Sequence, residues 1–107
     1  SMYMNYVKLW GNKIRAKDVV NANGKSIELK SIQISGNSGS GATLKTGLKS
    51  TSSKIISIDC SYPTIPWIID GEYYVVFLQY MHLGSNIYGF GGINNASVSA
   101  TVYYVDV

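Results

Sequence analysis

The stretch that most constrains the fold of this chain is Glu72–Met81, whose ten residues read EYYVVFLQYM. Aromatic and β-branched side chains dominate it, and it contains no Gly, Pro, Asn or Asp, so it predicts one long β-strand. Both sets of alternating side chains are largely apolar, which predicts a central strand covered on one face and partly on the other. The preceding Asp70-Gly71 favours a tight hairpin turn, and we expect that turn to pair the strand with Trp67–Ile69.

Shorter runs of apolar or alternating residues fill the rest of the chain, and turn residues separate them at intervals of about 8–12 positions. They predict further strands at 3–10, 25–35, 42–48, 54–62, 83–92 and 96–107. Residues 13–20 fit either a short strand or one helical turn. About seven or eight strands with little or no helix indicate an all-β fold, an antiparallel β-sandwich that is jelly-roll-like.

Two regions depart from simple alternation. In the strand predicted at 25–35, Ile27 and Ile32 are out of phase, and a slip of one residue would turn every side chain to the other face. We therefore expect a bulge or bend near Lys30-Ser31. Residues 83–92 alternate aromatic side chains with Gly, which is typical of a kinked strand or of an aromatic loop tip.

The composition fits one domain with a neutral surface. The chain has 107 residues, of which 46% are hydrophobic and 14% charged. We expect a single sandwich domain over residues 1–107, with residues 1–2 left from a cleaved tag. The charged fraction lies below the usual quarter, so the surface suits neutral partners or burial against other subunits.

Charge and hydropathy also exclude two classes of partner. The net charge is +3, and six of the nine basic residues are spread over the first 30 positions. Nucleic-acid binding calls for a clustered basic face, so we expect none. No apolar run reaches the roughly 18 residues of a membrane span, and no signal-peptide pattern is present. We therefore expect no membrane insertion.

Few side chains could support catalysis or metal binding. His82 and Cys60 are the only histidine and cysteine, whereas a zinc site needs three or four ligands and a disulfide needs two thiols. Cys60 alternates with Ile56 and Ile58, so we expect a buried, unreactive thiol on the core face. The carboxylates show no pairing of the kind that glycosidases place across a cleft. We predict no enzyme activity, no catalytic or metal-binding residue and no cofactor.

The aromatic residues of the Gly-rich segment are the best candidates for a binding site. Tyr88 and Phe90 follow Asn86 and stand next to glycines, and loop tips often display side chains to ligands. An aromatic ring can stack on the apolar face of a sugar, while Asn can both donate and accept hydrogen bonds. The alternative is that Tyr88 and Phe90 close the end of the sandwich or form a subunit contact.

The second half of the chain resembles a known group of proteins. Its features are Thr46-Gly47-Leu48-Lys49-Ser50, then Lys54-Ile55-Ile56-Ser57-Ile58, then the Tyr-rich strand, and a closing segment NASVSATVYYV at 95–105. This layout over roughly residues 44–107 is similar to the C-terminal domains of tail-fibre, baseplate or minor structural proteins of phages and prophages. The resemblance implies a β-sandwich head, usually trimeric, that contacts the host surface or other tail proteins.

From the resemblance we expect a non-enzymatic tail module that binds a saccharide of the host surface as a receptor-binding head. A purely structural domain that trimerises a fibre or baseplate is the alternative, and a small glycan-active enzyme is the third. Residues 3–35 would then connect the head to an upstream shaft. The module would reside in the virion tail, or in the bacterial cytoplasm before assembly.

Overall fold

The computed structural model describes residues 6–9, 12–15, 24 and 26–107, with the backbone alone for the first two ranges. These residues form nine strands and no helix: β1 (Tyr6–Leu9), β2 (Asn12–Arg15), β3 (Lys30–Asn37), β4 (Thr43–Lys49), β5 (Ser53–Asp59), β6 (Thr64–Ile69), β7 (Glu72–Leu83), β8 (Asn86–Gly92) and β9 (Ser97–Asp106). The tag remnant predicted at residues 1–2 lies outside the described residues. Positions 3–5, 10–11, 16–23 and 25 of the predicted connecting segment also lie outside the described residues.

The strands β3–β9 form two antiparallel sheets. One sheet has the order β3-β9-β5, and the other has the order β4-β7-β6, with β8 paired to the far half of β7. β1 pairs with β2 in a separate ribbon. The seven strands in two sheets confirm the predicted all-β sandwich, while the jelly-roll order stays a prediction.

β7 is the central strand of its sheet, as its composition predicts. Its first half pairs with β4 on one side and β6 on the other, and its second half pairs with β8. Tyr73, Val75 and Phe77 alternate toward the interior, and the last two have no exposed surface. The opposite face of the same half is only partly covered.

The hairpin between β6 and β7 turns where it was predicted to turn. Asp70 and Gly71 both have positive φ angles, 50° and 77°, as a two-residue type I′ turn requires. Only one neighbour pairs with β6, which makes it an edge strand. Phe77 donates its N–H to the Ala42 carbonyl on the β4 side, so the backbone N–H and C=O of Val75, two residues earlier, also point toward β4. The backbone nitrogen of Pro66, which pairs with Val75, therefore points toward the free edge of the sheet. Since Pro has no N–H, it leaves less of that edge open to strand pairing.

The core lies between β7 and β9. Val98, Ala100 and Val102 of β9 are buried and pack with Val75 and Phe77. The alternation of β9 predicted this inner face, with Ser and Thr on the outer one. Partly buried side chains complete the core from the surrounding strands: Ile32, Ile34, Leu44, Leu48, Ile55, Ile58, Cys60, Ile93 and Ala96.

The prediction for β3 was wrong at its start. The strand begins at Lys30 and not at position 25, and its residues pair with β9 from Tyr104 to Ser97. Ile27 and Leu29 precede the strand and are 36% and 45% exposed. The change of phase near Lys30 therefore marks the first paired residue, and no bulge is needed to explain it.

The prediction for β5 was wrong at Ile56. The register with β9 shifts between Ile55 and Ser57, so Ile56 is the extra residue of a bulge and is 59% exposed. Ile55 takes the inward position in its place. Cys60 does pack against the core, but it is only half-buried and not fully buried as predicted.

Candidate functional site

The far half of β7 and nearly all of β8 form a two-stranded arm. β6 reaches β7 only as far as Leu78, which donates its N–H to the Pro63 carbonyl at 2.9 Å. β4 stops pairing at Val76. Beyond Leu78, β7 therefore has β8 as its single neighbour. We call residues 79–91, which lie past the end of β6, the arm.

All three predicted site residues lie on the arm. Asn86 is the first residue of β8 and pairs with Leu83 across the hairpin turn. Tyr88 is 66% exposed and Phe90 is 58% exposed. Neither ring belongs to the core, so the alternative in which they close the end of the sandwich does not apply.

The local sequence explains why these aromatic rings face solvent. Gly89 and Gly91 alternate with Phe90, so the glycines take the face that continues from the core. Met81 covers this face, because a Cβ at Gly91 would lie 2.8 Å from the Met81 sulfur. A side chain at position 91 would displace Met81, and the glycine lets the two strands pack closely.

A bulge interrupts the arm at Tyr88. The register shifts after Met81, which pairs with Gly89, and resumes where His82 pairs with Ile87. Tyr88 is thus the unpaired extra residue, and bulges commonly redirect a side chain away from strict alternation. Of the two alternatives for 83–92, the structure contains the kinked strand, but the strand begins at Asn86, because Leu83 ends β7 and residues 84–85 form the turn.

Phe90 has an aromatic partner that the sequence analysis did not select. Its ring lies 5.3 Å from that of Tyr80, centroid to centroid, with the planes tilted by 40°. This distance is favourable for an aromatic pair. Tyr80 is 51% exposed, and Ile87, which pairs with His82 further along the same arm, is 54% exposed. The sequence signal that could have identified Tyr80 as exposed is the length of β7, which extends past β6 and the prolines near the start of β6.

The arm carries no permanent charge. Residues 79–91 contain no Asp, Glu, Lys or Arg, and His82 is their only titratable side chain apart from Tyr80 and Tyr88. The ion pair between Lys30 and Asp106 belongs to the other sheet. Its hydrogen bond and the charge of Asp106 raise the pKa of Lys30 above the ordinary 10.5. A ligand of the arm would be recognised by stacking and neutral hydrogen bonds.

The arm continues a larger apolar surface on the outside of its sheet. Cross-strand partners share a face, so Trp67 lies beside Tyr74 and Ile65 beside Val76, in line with Tyr80 and Phe90. We call this set the apolar outer face: Ile65, Trp67, Ile69, Tyr74, Val76, Leu78, Tyr80, Ile87 and Phe90.

The outside of the β3-β9-β5 sheet is different in kind. Its outward side chains are mainly polar, with Asn37 beside Ser97 at one end and Lys54 beside Val105 at the other. We call the set between these ends the polar outer face: Ser31, Gln33, Ser35, Ser57, Asp59, Ser99, Thr101 and Tyr103. A groove of about 370 Å³ lies near its middle. Sequence reasoning missed this groove, because its residues are far apart along the chain.

No metal-binding cluster is visible in the described part of the chain, where no three His, Cys, Asp or Glu side chains come together. His82 lies exposed on the arm, and the only cysteine, Cys60, lies near the other sheet. The two residues are therefore not brought together into one site.

The described residues include no helix long and apolar enough to cross a membrane. Comparisons with protein-family models, with curated proteins and with solved structures gave no match. The functional argument therefore rests on the surfaces of the sandwich itself.

Proposed function

We propose that this chain is a non-enzymatic module of a phage or prophage tail that binds a saccharide of the host surface through its arm. The observation that carries the proposal is the exposure of Tyr88 and Phe90 on a hairpin that extends past the sheet. Large aromatic rings that contribute nothing to the core are costly to leave in water, and a ligand offsets that cost. The module would act in the virion tail.

The chemistry of the arm suits a sugar. Tyr80, Tyr88 and Phe90 offer ring faces for the C–H surface of a pyranose. Asn86 is exposed at the start of β8, at the tip of the same arm, and its amide both donates and accepts hydrogen bonds. The absence of fixed charge on residues 79–91 favours a neutral or mildly acidic glycan over a strongly anionic polymer.

The second candidate function is assembly, in which copies of this chain form a trimer. The apolar outer face favours it, since six of its side chains are each 40–58% exposed: Ile65, Trp67, Ile69, Tyr80, Ile87 and Phe90. At about 200 Å² for a large side chain they leave on the order of 600 Å² of apolar surface in water.

An exposed apolar area of this size favours contact between the apolar outer faces of several copies of this chain. Patches beyond about 300–600 Å² are uncommon on monomers, and one side of a stable interface buries about 800 Å². The half-buried Tyr74, Val76 and Leu78 between the exposed residues would bring the face close to that size. In a closed trimer each copy would bury the same patch, including Tyr80 and Phe90, and only Asn86 and Tyr88 at the tip of the arm would remain free for a ligand.

The test of saccharide binding compares two tyrosine variants. Tyr88→Ala removes an arm residue, and Tyr62→Ala removes a tyrosine that is 42% exposed outside the arm. Each protein is mixed with fixed cells from a panel of Gram-positive and Gram-negative bacteria, and with their isolated wall polysaccharides. We expect Tyr88→Ala to lose binding with an unchanged melting temperature, and Tyr62→Ala to bind like the wild type.

Two outcomes would contradict the proposal. The first is a fall of several degrees in the melting temperature of Tyr88→Ala with unchanged binding per folded molecule, which would make Tyr88 a structural residue. The second is that the wild type binds none of the cells while forming a stable trimer, which would leave assembly as the function.

A further inference from the structure

We infer that the groove on the polar outer face is a second binding site, for a neutral saccharide. The inference is independent of the arm, because the groove lies on the outside of the other sheet. Six polar side chains line it: Gln33, Ser35, Asp59, Ser61, Ser99 and Thr101.

The strand register aligns these side chains in rows. Thr101 of β9 pairs with Gln33 on one side and with Asp59 on the other. An amide, a hydroxyl and a carboxylate therefore stand side by side across three strands, over about 10 Å. The next row along β9 contains Ser99 and its partner Ser35.

The groove forms where β5 leaves the sheet. Pairing between β5 and β9 ends at Asp59 and Thr101, and Cys60 then contacts the Ser99 carbonyl through its sulfur at 3.4 Å. Ser61 follows and lines the groove beside Ser99. The groove therefore lies where the pairing between β5 and β9 ends.

The donors and acceptors of the groove are available to a ligand. Within the described chain, none of the six polar side chains has a hydrogen-bond partner. Hydroxyl and amide groups both donate and accept, and the Asp59 carboxylate can accept from two neighbouring hydroxyls. Several such groups that converge on one concave surface match the vicinal hydroxyls of a sugar.

An aromatic ring flanks the groove. Tyr103 lies one row beyond Thr101 on the same face, where it pairs with Ser31 and Ser57. Two residues along a strand correspond to about 7 Å, and Tyr103 is half-buried. Tyr103 can therefore contact a second sugar ring, which favours a polymer that follows β9 over a single monosaccharide.

The composition of the groove argues against other ligands. The lining contains no Lys or Arg to bind an anion, and Asp59 is its only carboxylate, which is too few for a cation site. Its two aliphatic residues, Ile34 and Ala100, turn toward the core. An apolar protein partner would find little to pack against.

The test is electrophoresis of the full chain in native gels that contain a neutral glucan, mannan or galactan, with dextran sulfate as the anionic comparison. We expect at least one neutral polymer to retard the wild type, and Gln33→Ala and Asp59→Ala each to weaken the apparent affinity about tenfold. Ser97→Ala, on the same face of β9 but outside the groove, is the matched control and should behave as the wild type.

The arm variant separates this inference from the proposed function. If Tyr88→Ala is retarded as strongly as the wild type while Gln33→Ala is not, the groove binds the polymer, whatever the arm does. If Tyr88→Ala loses retardation and both groove variants keep it, the groove inference is wrong and the arm is the site. Retardation by dextran sulfate alone, or by no polymer, would also overturn the inference. Gln33→Glu and Asp59→Asn repeat the test with side chains of nearly the same shape.

Discussion

The two sheets share one core but present opposite chemistry to the outside. The β4-β7-β6 sheet with its arm exposes Trp67, Tyr80 and Phe90, whereas the middle of the polar outer face carries Ser, Thr, Gln and Asp side chains. Both outer faces are formed by alternate residues of antiparallel strands. They therefore differ in the types of side chain at the outward positions and not in how the strands are arranged. A polar outer face is what a solvated sheet needs, and an apolar one indicates that something covers it.

The largest expected effect on stability comes from comparing a buried side chain with an exposed one. Phe77 is fully buried and Ile56 is 59% exposed, although the alternation of β5 had assigned Ile56 to the core. Phe77→Ala should lower the free energy of unfolding by about 3–5 kcal/mol. Ile56→Ala should lower it by less than about 1 kcal/mol. Urea denaturation followed by tryptophan fluorescence measures both, and similar losses would mean that the bulge in β5 is wrongly placed.

The next effect compares the two outer faces through assembly. We expect Trp67→Lys to convert a trimer to the 11.7 kDa chain, because the charge would have to be desolvated in the interface. Ser31→Lys introduces the same charge on the polar outer face and should leave the trimer intact. Multi-angle light scattering gives both masses. A wild type that is monomeric at micromolar concentration would refute the trimer.

A smaller effect concerns the packing of the arm. A Cβ at Gly91 would lie 2.8 Å from the Met81 sulfur, whereas a Cβ at Gly89 has open space around it. Gly91→Ala should therefore destabilise the protein by up to about 1 kcal/mol, since Met81 can move aside. Gly89→Ala should be neutral or slightly stabilising. Thermal melting of the two variants shows which is less stable. A lower melting temperature for Gly89→Ala than for Gly91→Ala would contradict the placement of Met81 over Gly91.

The smallest expected effect concerns the ion pair between Lys30 and Asp106 in the β3-β9-β5 sheet. The pKa of Lys30 is raised by its hydrogen bond to Asp106 and by the charge of that carboxylate. The contribution of the ion pair to stability is therefore complete below the ordinary pKa of 10.5 and is lost as the pH rises through the raised pKa of Lys30. Lys30→Met should melt slightly below the wild type at pH 7 and equally at a pH well above 10.5. A difference that grows at high pH would contradict this sign.

The sequence predicted the fold best where one pattern is long and local. The run at 72–81 and the alternation of β9 each specify a buried face over many residues, and Asp70-Gly71 specifies its own turn. The pattern failed at Ile55-Ile56, because two adjacent isoleucines fit either phase and only the pairing with β9 decides between them. It failed at Ile27 because β-propensity does not reveal whether a partner strand is present.

The surfaces were predictable to a different degree. The placement of Asn86, Tyr88 and Phe90 among glycines was enough to select them as exposed candidates. Tyr80 was not separable from the rest of β7, since its exposure depends on where β6 ends. The polar groove joins positions 33, 59 and 101 through strand pairing, and no local feature of the sequence connects them.

The most direct test of the central claim, that the arm binds a saccharide of the host surface, is an NMR titration. The ¹⁵N-labelled full chain is titrated with wall polysaccharide from a bacterium that binds it. We predict that the amides of residues 86–90 shift together and saturably, while those of Val75, Phe77 and Val102 in the core do not move. Saturable binding with shifts confined to other residues, and none on the arm, would contradict the claim.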